Sequence, residues 1–331
     1  MNDMQRSDIP GSWARLFGRF TGRRQPAARP RLNWAIDTAA TPGRWGDQWG
    51  DTYFAISLAR ALRRLDQSVQ IDRRDTRDRD SRSQDDVVVT LRGLERVTPR
   101  PGPLHLLWVI SHPDKVDADE ARSYDAVFAA SPSWAAARSA EWGIPVSPLL
   151  QCTDPEFFHP GRTLPGATEG VLFVGNARRG SHRPVVEAAA EAGARPRIFG
   201  TGWEETHVAS HLAGTRIPND DLGAHYAAAT VVLSDHWDDM RRAGFLSNRL
   251  FDAVACGARV LSDSIDGLDL FDGCVVGCES SDDVREALAS DPEQVWPDLA
   301  HRMAVAERIR SEHSFERRAE ALLTRALELR S

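Results

Sequence analysis

Apolar positions along the chain fall into short blocks that alternate with longer stretches of helical period. In the first half the strand-like blocks are LNWAID (32–37), VQIDRR (69–74), DDVVVTL (85–91), LHLLWVI (104–110), YDAVFAA (124–130) and VSPLLQC (146–152). In the second they are GVLFVGN (170–176), RPRIFG (195–200), a short strand at the start of TRIPND, VVLSD (231–235), ARVLSD (258–263) and CVVGC (274–278). Between them lie helical patterns such as YFAISLARALRRL, SWAAARSAEWG, PVVEAAAEAG and a helix capped near Asn219 or Asp220. LHLLWVI is apolar throughout, which suits a central parallel strand covered on both faces. Strand and helix alternating in two successive series predict an α/β protein of two doubly wound, Rossmann-like domains with a cleft between them. The expected boundaries are a basic leader over 1–30, an N-terminal domain over 31–155, a Pro- and Gly-rich linker over 156–169, a C-terminal domain over 170–312, and a closing helix over 313–331.

A length of 331 residues fits two such domains, and 41% hydrophobic with 27% charged residues is ordinary for a globular chain. The net charge of −7 gives no reason to expect a nucleic-acid partner. Cys152, Cys256, Cys274 and Cys278 are too few for a disulfide framework and read as buried thiols. No apolar run has membrane-spanning length and no signal-peptide core is present, so a cytoplasmic location is expected. The leader contains WARLFGRF followed by Arg23, Arg24, Arg29 and Arg31, compatible either with weak contact to an anionic membrane surface or with a solvated tail. The charged run from Asp75 to Asp86 reads as a solvated loop.

Candidate chemistry concentrates in GFLSNRLFDAVACG (244–257), a glycine-containing loop feeding a helix. Ser247 is the expected N-cap, and Asn248 and Arg249 fall in the first turn, where free N–H groups and the helix dipole collect anions. Asp252 follows one turn later on the same side. A plain buried helix would show much of the same pattern. Ligands of open parallel sheets bind beyond the carboxyl ends of strands. Those ends carry Gly175 with Arg178 and Arg179, Gly200 and Gly202, Pro218 and Asn219, and Asp235 and His236. The first half offers Asp37 with the loop bearing Trp45, Gly46, Asp47 and Trp49, which suits a lid over an acceptor or a mere connector. It also offers His112 after an apolar strand, suited to acid–base work or to a structural role.

From Gly214 to Asp263 the sequence resembles the donor-binding domain of GT-B glycosyltransferases, and most nearly the CgeB-like, spore-maturation-type group related to retaining group 1 enzymes. The resemblance rests on IPNDDLGAHYAAATVVLSD and on GFLSNRLFDAVACGARVLSD, with an Asn-Arg pair just ahead of a phenylalanine and an acidic residue. It implies a nucleotide diphosphate-sugar donor as substrate without a further cofactor or metal, and transfer to an acceptor (sugar, aglycone or peptide) on the N-terminal domain, with retention of configuration. It gives Asp252 a ribose-binding or catalytic place and assigns Ser247, Asn248, Arg249, Gly175, Arg178 and Arg179 to the diphosphate. Gly200, Gly202, Pro218 and Asn219 go to the nucleotide, and His112 to the donor sugar near the reacting carbon. Gly244 stands where the family carries its first glutamate. That departure leaves open two alternatives, a nucleotide-sugar epimerase on the same frame and a non-catalytic binding subunit.

Overall fold

The computed structural model describes Pro30–Ser331 except Gln48, residues 179–182 and the side chain of Trp45. The basic leader and its membrane contact lie outside the described residues, apart from Pro30. Leu32–Ser331 form one unit. Its first sheet contains β1 (Asn33–Asp37), β2 (Ser68–Asp72), β3 (Val87–Arg92), β4 (Leu104–Val109), β5 (Ala126–Ala129) and β6 (Val146–Pro148), in the order β2-β1-β3-β4-β5-β6. The second contains β7 (Val171–Val174), β8 (Arg197–Phe199), β9 (Leu212–Gly214), β10 (Val231–Ser234), β11 (Val260–Asp263) and β12 (Val275–Cys278), in the order β12-β11-β10-β7-β8-β9. All strand pairs are parallel. The expected pair of doubly wound sheets is therefore present.

Two strands depart from the pattern. β9 ends at Gly214 rather than starting at Thr215, because the Gly200 N–H is drawn to the Gly214 carbonyl at 3.0 Å. β6 stops at Pro148; one further bond, from the Leu149 N–H to the Ala129 carbonyl, precedes the turn of the chain toward the second half. The expected solvated loop after β2 is instead a partly buried ion network. Arg79 bridges Asp72 and Asp85, and Arg100 also reaches Asp85, over the sheet face that carries Asp37. Neighbouring guanidiniums and carboxylates neutralise one another there, so the charge-rich segment can cover a sheet.

The closing helix (Phe315–Arg330) packs on the first sheet, with Phe315, Ala319, Leu322 and Leu323 in one core with Phe54, Leu58 and Trp108. The preceding helix (Leu299–Glu312) packs in the second half, its Val305 and Ile309 against Leu250, Phe251 and Val254. The chain thus crosses between halves twice, and the crossings are bonded together. Thr153 N–H donates to the His313 carbonyl at 2.9 Å, and Phe315 N–H donates back to Thr153 at 3.1 Å. The buried Arg318 ties the same place to the carbonyls of Leu150 and Gln151, at 2.7 and 3.0 Å. All four cysteines are buried free thiols, and among the described residues no helix is long and apolar enough to cross a membrane.

A third set of contacts joins the halves at GFL (244–246). Phe245 is 0% exposed and meets Trp134 edge-on at 5.6 Å, within a cluster that includes Val109, Val116 and Met240. Beside it the Ser131 hydroxyl donates to the Ala243 carbonyl at 2.6 Å. Gly244 has φ +67, and an added Cβ would lie 3.3 Å from the hydroxyls of Ser131 and Ser133. A left-handed residue pressed against the opposite half favours glycine, which accounts for the missing glutamate. Removing the Phe245 ring leaves a cavity in this seam, so Phe245→Ala should lower unfolding stability by about 3–5 kcal/mol in urea titration. A loss below about 1 kcal/mol would show that the seam does not hold.

Candidate active site

Two cavities between the sheets share Gly50, Asn176, Asn248 and Arg249 and form one groove. The larger, about 410 Å³, has Trp49, Asp51, Leu94, Ser111 and His112 on the first-half side. The smaller, about 260 Å³, lies toward Gly175, Phe199, Gly200, Ile217, Asn219 and Asp252. A third, about 910 Å³, opens past Arg178, Asp235 and His236 toward β12.

Where β7 and β10 end, two guanidiniums share one carboxylate and a third, that of Arg249, lies close by. Asp235, 4% exposed, pairs with Arg183 through Oδ1 and lies 3.5 Å from Arg178 through Oδ2. Arg183 also donates twice to the Asn176 carbonyl, at 2.9 and 2.8 Å. Arg249 donates to the Val174 carbonyl at 2.8 Å, and its guanidinium stands 5.3 Å from the Phe173 ring, 0.2 Å farther than that of Arg183 at 5.1 Å. Arg178 covers the Trp237 ring at 4.4 Å. Burial drives Arg183 down to about 10 against the pull of Asp235, and the positive charges of Arg178 and Arg249 add to the depression. Among the described residues, Arg178 Nε, Asp235 Oδ2 and the Ser247 hydroxyl are buried without a hydrogen-bond partner. Unmet buried polar atoms are rare because each costs about 1–3 kcal/mol. All three residues border the groove; the unmet donors of Arg178 and Ser247 suit an anion there, whereas Asp235 Oδ2 is an acceptor facing the Arg178 guanidinium.

The tip of the helix Asn248–Ala255 is more occupied than its sequence suggests. Ser247 holds the N-cap position but its side chain makes no capping bond. The Asn248 N–H goes instead to Gln151 Oε1 at 2.9 Å, from the first crossing, and the Ser247 N–H goes to His236 Nε2 at 3.1 Å. Because Nε2 accepts, His236 Nδ1 carries the proton and donates to Asp263 Oδ1 at 2.7 Å. Burial pushes Asp263 up, yet the hydrogen bonds from the His236 ring and amide outweigh this and hold it below the usual carboxylate range. Asp252 is 5% exposed, accepts from Thr153 Oγ1 at 2.7 Å and from Asn248 Nδ2 at 3.2 Å, and is driven well up by burial. Two front amides and both Asp252 oxygens are therefore already engaged by protein, and positive charge at the groove comes from arginines more than from the helix end.

Of the remaining expected residues, Gly175 and Gly200 border the smaller cavity. A Cβ on Gly200 would sit 2.0 Å from the Gly175 carbonyl oxygen, so the strand end at 200 can approach Gly175 this closely only as glycine. Asn219 borders it too, whereas Gly202 and Pro218 do not. Arg179 lies outside the described residues. Trp49 reaches the groove. Gly46 is packed against Thr41, Asp47 is drawn out to Arg73 at 2.7 Å, and Asp37 lies in a separate cavity of about 230 Å³ beneath the ion network. Composition gave no hint of Gln151, Arg183, Trp237, Asp239 or Asp51, because each acquires its place only through long-range packing.

Residues 178–324 match the family model described as "Glycosyl transferase-like". Comparison with curated proteins found no match. Similar solved structures include the sucrose-phosphate synthase of Thermosynechococcus elongatus, 15% identical over 91% of this chain and 100% of that one, with a TM-score of 0.59. AviGT4, a glycosyltransferase involved in avilamycin A biosynthesis, is 18% identical over 90% and 98%, with a TM-score of 0.58. Anabaena HepE in complex with UDP is 13% identical over 88% and 99%, with a TM-score of 0.56. These likenesses show the GT-B fold. The family match covers residues 178–324, in the second half of the chain.

Asp37 supplies a test of the electrostatics away from the groove. Burial raises it to about 6, opposed by Arg77 and reinforced by Asp72. A carboxyl whose folded pKa exceeds its unfolded one binds extra protons when folded, so its contribution to stability falls as pH rises through the interval from about 4 to about 6. Asp37→Asn should therefore stabilise the protein at pH 7.5 by up to about 3 kcal/mol and have little effect at pH 3.5. Equal effects at both values in urea titrations would contradict it.

Proposed function

We propose that the protein transfers a sugar from a nucleotide diphosphate-sugar to an acceptor held on the first-half wall of the groove. The observation that carries this is the cluster of Arg178, Arg183 and Arg249 beside the groove, where Asp235 pairs with Arg178 and Arg183 and the unmet donors Arg178 Nε and Ser247 Oγ belong to lining residues. Arg178 and Arg249 meet the diphosphate, while Arg183 acts through Asp235 and Asn176 to hold the loop in place. As the bond from the anomeric carbon to the diphosphate breaks, negative charge grows on the leaving oxygen, and preorganised guanidiniums stabilise it in a partly dehydrated site. This supports catalysis without a metal.

The nucleotide lies along the smaller cavity, between Phe199, Ile217 and Asn219. Asp252 contributes by fixing the Asn248 side chain at that end. HepE was solved with UDP, which makes uridine diphosphate the first nucleotide to try. The Asn248-Arg249 pair ahead of Phe251 and Asp252 supports a place in the CgeB-like group.

Loss of one charge-assisted contact of about 1.5–3 kcal/mol should weaken nucleotide binding about 10- to 100-fold. Calorimetric titration with UDP and other nucleoside diphosphates should show this for Arg249→Ala and for Arg178→Ala, with thermal melting as a control for folding. Turnover with a panel of nucleotide-sugars should survive EDTA. Unchanged affinity in both variants contradicts the assignment, and an epimerised nucleotide-sugar formed without acceptor contradicts the transfer.

A further inference from the structure

The crossing from the first half to the second lies against the helix Asn248–Ala255 where that helix borders the groove. Side chains of an extended segment alternate in direction, and here Cys152 enters the first-half core while Gln151 and Thr153 turn to the helix. Gln151 is 6% exposed and lines the groove between its two walls. Its Nε2 donates to the Ile110 carbonyl at 2.6 Å, and its Oε1 accepts the Asn248 N–H at 2.9 Å. A carbonyl must receive a donor and an N–H an acceptor, so these bonds fix which end of the side-chain amide is the oxygen. One helical turn further on, Thr153 Oγ1 donates to Asp252 Oδ1 at 2.7 Å. The backbone behind these side chains is fastened. Arg318 holds the carbonyls of Leu150 and Gln151, and Thr153 is bonded through its backbone to His313 and Phe315. The Gln151 side chain can turn about its own bonds while that backbone stays in place.

We propose that Gln151 is an internal competitor for the donor: its Oε1 occupies the Asn248 N–H that a diphosphate oxygen takes when the nucleotide binds, which lowers affinity and favours release of the spent nucleoside diphosphate. This rests on the glycosyl-transfer reading above. An amide at the start of a helix is a natural contact for an anion, and the neutral Gln151 oxygen makes that contact in the anion's place. Beside it the Ser247 hydroxyl is buried without a partner and belongs to a residue lining the groove. The helix tip is thus only partly satisfied from within. A charged oxygen bonds an N–H about twice as strongly as a neutral one, so a diphosphate held by Arg178 and Arg249 can displace the side chain. When it does, Gln151 Nε2 leaves the Ile110 carbonyl as well. Binding on the second-half wall then releases one tie to the chain just beyond β4.

Gln151→Met keeps the length of the side chain and removes its acceptor. Calorimetry of the full chain should show UDP bound about 10-fold more tightly than by wild type, with uridine, which has no phosphate, bound alike by both. In a transfer or donor-hydrolysis assay UDP should inhibit the variant at a correspondingly lower concentration. Thermal melting reports whether the variant folds. If it does not, a crystal structure of the wild-type chain with UDP decides, and should show a phosphate oxygen on the Asn248 N–H with the Gln151 side chain turned away. UDP bound no more tightly by Gln151→Met, uridine gaining as much as UDP, or Gln151 still seated on Asn248 in the UDP complex overturns the proposal. Arg178→Ala and Arg249→Ala separate the two levels. Unchanged UDP affinity in both contradicts the reading of the groove, whereas a loss in both with no gain in Gln151→Met contradicts the competition alone.

Discussion

Guanidiniums cannot crowd together at a largely buried edge without compensation, and where β7 and β10 end Asp235 supplies it for Arg178 and Arg183. Asp235 neutralises one charge, the Asn176 and Val174 carbonyls absorb several donors, and the rings of Phe173 and Trp237 cover the planes. What stays unmet there belongs to residues lining the groove. Positive charge that the fold itself leaves uncompensated is most economically explained by a ligand of opposite sign.

The second organising feature is how the halves are fastened. Phe245 inserts into the first half beside Trp134, Gln151 from the first crossing caps the helix of the second half, and Thr153 joins Asp252 to the crossing. The stretch 244–252 is thus part of the seam between the halves as well as of the groove wall. A site built on the seam responds to any movement between the halves, and the pair His112 and Asp239 is subject to the same coupling.

Much of the fold was legible because parallel strands buried on both faces leave apolar runs, and the glycines between them mark strand ends. Boundaries slipped where tertiary bonds decide them: β9 was displaced by the pull of Gly200 on Gly214, and β6 was cut short as the chain left for the second half. At the site, Arg249 and Arg178 were visible as arginines near strand ends, but Ser247 as a capping residue was not borne out in bonding, since Gln151, almost a hundred positions earlier, takes the amide. Asp37 looked like a ligand-facing strand end and is instead roofed by the charged segment, whose mixed signs allow it to close over a sheet. Local pattern carries period and turn chemistry; it does not carry which distant side chain arrives.

The groove is unequal across its width. Its second-half wall is rich in arginine, and its first-half wall offers Trp49, Leu94, Asp51 and His112 without a guanidinium. Under the proposed transfer, that division separates a place for the leaving diphosphate from a place for the incoming hydroxyl. The most direct test is a crystal structure with UDP bound. The account predicts diphosphate oxygens within about 3 Å of the Arg178 and Arg249 guanidiniums, with the uridine toward Phe199 and Asn219. UDP bound elsewhere, for example in the cavity toward β12 with Arg249 left facing Val174 and no phosphate, would contradict it.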